Sequence, residues 1–147
     1  MKIDKGSHCI YQIRYHMVMC VKYRKRLLLN DYNIKILLNS FAGIAERYDY
    51  IIDEVGTDGD HVHVFVGAGG KEGPSNVMGT LKSLSAKEML QIPEIKKQLW
   101  GGAFWSSGGY IGTVGEGTNE EIVRKYIKNQ GSEEEKEGYK QFSLFKL

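Results

Sequence analysis

The chain has 147 residues, 41% of them hydrophobic, with two cysteines and a formal net charge of +2, which suits a single domain with a proper core. No apolar run reaches the roughly 18–20 residues of a membrane helix, MKIDKGSH lacks the apolar stretch of a signal peptide, and Cys9 and Cys20 form no Cys-x-x-Cys pair; the expectation is a soluble, cytoplasmic protein without a disulfide framework or zinc ribbon. The charge is uneven: residues 1–48 hold nine Lys/Arg against three Asp/Glu, so this part is the better candidate for meeting phosphate.

From His8 to Tyr23 the odd positions are Cys9, Tyr11, Ile13, Tyr15, Met17, Met19, Val21 and Tyr23, set against His8, Gln12, Arg14, His16 and Lys22. Period two predicts one long strand or two collinear ones. At its end stands Lys22-Tyr23-Arg24-Lys25-Arg26, four cations around an aromatic. Residues 33–48 place Ile34, Leu37, Leu38, Phe41, Ile44, Ala45 and Tyr48 at helical spacing. Tyr50–Gly56 and His61–Gly67, separated by the turn-rich TDGD, predict a β-hairpin. Gly67–Gly73 reads as a loop, and Pro74 suits the first turn of a helix running to about Leu90, with Val77, Met78, Leu81 and Leu84 inward. Ala103–Ser107 and Tyr110–Val114, joined around Gly108 and Gly109, predict a second hairpin. After Gly115-Glu116-Gly117, the pair Thr118-x-x-Glu121 has the form of a capping box and starts a last helix ending near Gly131. The tail SEEEKEG reads as a solvated charge run.

Strand pairs alternating with helices predict an α+β fold: a ferredoxin-like (RRM-like) antiparallel sheet with helices packed on a face, plus an extra strand and a C-terminal helix bearing Tyr126. One domain spans residues 1–147, with a core over about 8–131 and a tail over 132–147.

The stretch GDHVHVFVG, residues 59–67, carries the first chemistry. In a strand His61, His63 and Phe65 share one face while Val62, Val64 and Val66 share the other, so imidazoles are sorted from valines. The two histidine Cα atoms then lie roughly 6–7 Å apart, within reach of one metal ion. For an isolated His-x-His, packing at a sheet edge with local hydrogen bonds is the commoner explanation. The last helix adds Tyr126 and Gln130, four residues apart and therefore neighbours on one face. One offers a nucleophile and the other an oxygen ligand; two imidazoles with an amide oxygen suit Mg²⁺ or Mn²⁺ where phosphate completes the shell, although nitrogen ligands alone favour zinc. Taken singly, Tyr126 reads more readily as a packed aromatic than as a nucleophile.

Four stretches, in order, are YHMVMCVKYRKR, GDHVHVFV, PSNVMGTLKSLSA followed by FWSSGGYIGTVG, and YIKNQ. With them the chain resembles the HUH single-tyrosine transposases of small bacterial and archaeal insertion sequences, the IS200-like group. The match spans about residues 8–131 and shows no departure at the expected catalytic positions. The resemblance implies that Tyr126 cleaves single-stranded DNA at the element's ends, leaving a 5′-phosphotyrosine link and a free 3′-hydroxyl, and that His61, His63 and Gln130 hold a divalent ion. It implies recognition of a hairpin at those ends and a homodimer whose tyrosine helices can complete each other's sites, with Gly115-Glu116-Gly117 as the hinge. Lys22, Tyr23, Arg24, Lys25 and Arg26, extended by Lys82 and Lys87, are the candidate DNA contacts, cations for phosphate and the ring for an unpaired base. Neither a membrane nor a nucleotide cofactor is expected. Two other readings stay open on the residues alone: a non-catalytic single-stranded DNA or RNA-binding module, and a metal-dependent phosphodiesterase using metal-bound water, which would give hydrolysis without an adduct.

Overall fold

The alternation around Tyr15 does form a strand, and its neighbours on both sides make it a central one. The computed structural model describes residues 4–5 and 10–11 (backbone alone), 13–70, 72–100, 102–113 and 128. In chain order these form β1 (Asp4–Lys5), β2 (Ile10–Tyr11), β3 (Tyr15–Cys20), a 3-10 turn (Lys22–Arg24), α1 (Asp31–Tyr48), β4 (Ile51–Thr57), β5 (His61–Gly67), α2 (Pro74–Met89), α3 (Pro93–Gln98) and β6 (Tyr110–Thr113). Among the described residues, strands β1 and β2 pair only with each other, and the main sheet has the order β4-β5-β3-β6 with every neighbour antiparallel. The strands that lead into the long helices, β3 and β5, lie at the centre, which is the expected ferredoxin-like arrangement.

The apolar face of the sheet sets the layer order. Met17 and Met19 of β3, Val21 just beyond it, and Val62, Val64 and Val66 of β5 are fully buried in one cluster with Leu37, Phe41 and Ile44 of α1 and Val77, Met78 and Leu81 of α2. Both long helices therefore cover the valine face, and burial of that apolar area is the main stabilising term. Helix α1 starts two residues earlier than its hydrophobic spacing predicts, because the Asn30 side chain accepts a 2.8 Å hydrogen bond from Asn33 N–H and caps it. Leu38 and Tyr48, expected inward, are 40% exposed, so the buried stripe is narrower than the sequence pattern.

The second hairpin does not form. Instead, residues 104–113 run along one edge of β3: Tyr110–Thr113 pair with Tyr15–Val18, and Trp105 makes a separate bridge to Val21. Gly108 and Gly109, expected to turn the chain, lie in an interruption between these two pairings. Lys82 closes it, donating 2.7 Å hydrogen bonds to the carbonyls of Ser106 and Gly108. Backbone acceptors left without a ladder partner need such a donor. The short helix α3 was not foreseen, since it offers the single apolar anchor Ile95. Of the last helix only Lys128 is described, and it is helical; Cys9, Tyr126, Gln130 and the hinge at 115–117 lie outside the described residues. Among the described residues no helix is long and apolar enough to cross a membrane.

A pH effect arises at the start of β4. Tyr50 is buried and donates a 2.7 Å hydrogen bond to Glu72, and burial above all pushes its phenol up to about 12. The folded state thus holds the proton more tightly than the unfolded chain. The contribution is complete below about pH 10 and is lost as pH rises towards 12, up to roughly 3 kcal/mol. Urea midpoints at pH 9 and 11.5 should therefore fall less in Tyr50→Phe than in the wild type.

Candidate metal and DNA site

The opposite face of the sheet carries the histidines. In the register of β3 against β5, Cys20 opposes His61, Val18 opposes His63 and His16 opposes Phe65, so all six side chains share one face. This face is also buried: His16 is 0%, His61 2% and His63 7% exposed. The His16 ring stacks on Phe65 at 4.6 Å and meets the edge of His63 at 5.8 Å. Burial, and secondarily the neighbouring His63, lower His16 to about 4; burial likewise lowers His63. Both rings are therefore neutral near pH 7, the form in which an imidazole can offer a lone pair.

His61 is oriented by the residue before it. Asp60 Oδ1 lies 2.7 Å from His61 Nδ1, while Asp60 Oδ2 accepts a 2.9 Å hydrogen bond from Arg24 Nη2. A carboxylate held by a guanidinium favours the tautomer with the proton on Nδ1, which leaves the lone pair on Nε2. Carboxylate-to-histidine pairing of this kind is the usual support of a metal-ligating imidazole. His61 Nε2 is thus available as one ligand of a divalent ion. Among the described residues no group of three or more His, Cys, Asp or Glu could hold a metal; the third ligand expected from sequence, Gln130, falls outside them.

The position of His63 depends on a bulge in β4. Ile51 and Ile52 pair with Gly67 and Val66, but beyond Asp53 the register shifts by one, so that Glu54 opposes Phe65, Val55 opposes Val64 and Gly56 opposes His63. Without the extra residue Val55 would stand beside His63. The bulge sends Val55 to the core face and brings up a residue with no side chain, and the His63 imidazole occupies that space: a Cβ at Gly56 would fall on its Nε2. Asp53, the residue at the shift, is held from across the sheet by Arg14 Nε at 2.6 Å.

The basic segment is sorted by a strained turn. Tyr23 and Arg24 both have left-handed backbones, φ 60° and 53°, which costs about 1–2 kcal/mol per residue. Tyr23 stays 48% exposed, whereas Arg24 is 6% exposed and reaches Asp60. Arg24, expected among the DNA contacts, is thus a support of His61 in this structure. Lys82 departs from expectation similarly, with its ammonium on the Ser106 and Gly108 carbonyls and its proton affinity lowered by burial. Arg26 and Lys87 are exposed and Lys22 and Lys25 half-buried; Lys87 lies in a groove between α1 and α2 with Arg47, away from the Lys22–Arg26 segment in sequence and element. Asp60 and Gly56 are the site residues that sequence reasoning passed over; an acidic residue directly before His-x-His was the available signal for the first.

The family model described as "Transposase IS200 like" matches residues 9–130. The chain belongs to the IS200-like transposase family. This transposase is 34% identical over 137 residues to the ISDra2 transposase TnpA of Deinococcus radiodurans, covering 91% of this chain and 95% of that one. Its fold matches a crystal structure of a Deinococcus radiodurans R1 protein assigned as a transposase, with a TM-score of 0.78 and 28% identity over 88% of this chain and 98% of the other. A REP-associated tyrosine transposase solved with a REP hairpin shares the fold at 13% identity and a TM-score of 0.50, over 85% of this chain and 68% of that one.

Proposed function

We propose that this transposase cleaves and rejoins single-stranded DNA at the ends of an insertion sequence through a 5′-phosphotyrosine intermediate on Tyr126. The carrying observation is the paired imidazoles of His61 and His63 on one sheet face, with His61 steadied by Asp60 and Arg24, in a chain whose IS200-like match spans Tyr126 and Gln130. The Tyr126 hydroxyl oxygen bonds to the scissile phosphorus as the bond from phosphorus to the 3′-oxygen breaks. The tyrosine proton departs, the 3′-oxygen takes one up, and a 3′-hydroxyl results. Because one phosphoester replaces another, the reverse attack by a 3′-hydroxyl reseals DNA without ATP.

His61, His63 and Gln130 would hold Mg²⁺ or Mn²⁺. Such an ion supplies positive charge beside the scissile phosphate and the leaving oxygen. Lys22, Lys25 and Arg26 would bind DNA phosphates and place the strand. A hairpin-bearing end is the proposed substrate and a homodimer the proposed working form, with the tyrosine helix of one protomer able to serve its partner's histidines.

Purified protein incubated with single-stranded oligonucleotides from both flanks of its own gene, with Mn²⁺, should cleave one of them at a fixed position. Tyr126→Phe and His61→Ala should each lower cleavage by at least roughly 10³-fold, as expected for loss of a nucleophile or of a metal ligand. Equal cleavage by Tyr126→Phe would overturn the mechanism.

A further inference from the structure

Helix α3 ends in an unusual way. Leu99 caps it and Trp100 follows with φ 52°, the left-handed position after a helix that glycine normally takes. Leu99 is buried, but Trp100 is 77% exposed, so the strained backbone is not repaid by burying the indole. The ring instead meets Tyr23, itself left-handed and half-exposed, at 5.9 Å between centroids and 77° between planes. Lys25 Nζ lies 5.6 Å from the Trp100 centroid and Lys22 Nζ 5.4 Å from that of Tyr23. Two segments far apart in sequence thus set two strained aromatics and two ammonium groups into one exposed corner. Strain retained on exposed side chains points to ligand contact rather than to folding.

The corner also stands beside the histidines. Cys20 opposes His61, Val21 N–H donates to the Asp60 carbonyl at 2.8 Å, and the turn carrying Tyr23 follows at once.

The geometry points to a nucleobase subsite: Trp100, with Tyr23, stacks one unpaired base of single-stranded DNA, and Lys22 and Lys25 meet the adjoining phosphates. This rests on the DNA-processing reading and adds a protein residue that grips a base next to the cleavage site. Aromatic rings take any unstacked base, whereas a paired base has no face to offer.

The test measures anisotropy of fluorescein-labelled oligothymidylate of fifteen residues, the same oligonucleotide with abasic sites throughout its middle, and a duplex of equal length. Trp100→Ala should weaken the oligothymidylate by roughly tenfold, Trp100→Phe by less than about threefold, and neither should change duplex or abasic binding by more than about twofold. Trp100→Gly separates binding from packing. It should raise Tm by about 2 °C, because glycine relieves the left-handed strain, and still lose the tenfold. Unchanged oligothymidylate binding in Trp100→Ala overturns the subsite, as does an equal loss on the abasic strand, or a fall in Tm in Trp100→Gly that accompanies the loss of affinity. These readouts need no strand cleavage, so a failure of the tyrosine mechanism would leave them intact, and a failure here would leave the cleavage assay intact.

Discussion

Asp60→Ala is expected to destabilise the protein by about 3–5 kcal/mol, measured as a fall in the urea midpoint. The Asp60 carboxylate is buried between Arg24 and His61, and its removal leaves the guanidinium, itself 6% exposed, facing a cavity. Removing the carboxylate from beside a buried guanidinium costs more than the pair's own attraction, because the charge stays desolvated. Replacing both partners, Asp60→Ala with Arg24→Met, should therefore regain most of the lost stability. It should not regain metal binding, since His61 would still lack the carboxylate that fixes its tautomer. Asp60→Asn separates the effects further: it keeps the shape and one acceptor oxygen, and should lower Mn²⁺ affinity by roughly 10–100-fold in isothermal titration. A stable Asp60→Ala variant with wild-type Mn²⁺ affinity would sever the proposed link between the basic turn and the metal site.

The second large effect is at Gly56. Gly56→Ala places a methyl group on the atoms of the His63 imidazole, and the neighbouring rings of His16 and Phe65 limit where that imidazole can go. The ring must leave its position or β4 must shift, and a ligand misplaced by even about 1 Å no longer shares an ion. Mn²⁺ affinity should drop by about 100-fold or more, with overpacking lowering stability by roughly 1–3 kcal/mol. Oligothymidylate binding should stay within about twofold of wild type, because the Tyr23 and Trp100 corner is left unaltered. Wild-type Mn²⁺ affinity in Gly56→Ala would mean that His63 is not a ligand.

What could be read from sequence followed from periodicity. The alternation of histidines and valines in β5 correctly assigned the valines to the helix-covered core, and the helical spacing of α1 and α2 with the two hairpin strands was enough for the ferredoxin-like order. What escaped depends on single residues whose conformation is set by distant partners. A one-residue bulge at Asp53 has no period of its own, yet it decides whether Val55 or Gly56 stands beside His63. In Lys22-Tyr23-Arg24-Lys25-Arg26 the charges are plain, but the left-handed turn that buries Arg24 becomes apparent only once Asp60 is adjacent. Gly108 and Gly109 resembled a hairpin turn because glycine permits a turn without requiring one; Lys82, more than twenty residues earlier, satisfies the carbonyls of the irregular edge that forms instead. Trp100 carried no motif, and its exposure was visible only in the fold.

The covalent bond proposed between Tyr126 and DNA is tested most directly by mass spectrometry of the protein after reaction with its flanking single-stranded DNA, Mn²⁺ and nuclease trimming. A protease-derived peptide containing Tyr126 should carry a nucleotide joined through its 5′-phosphate, with a free 3′-hydroxyl on the released strand. Cleaved DNA with no modified peptide, or a nucleotide on any residue other than Tyr126, would contradict it.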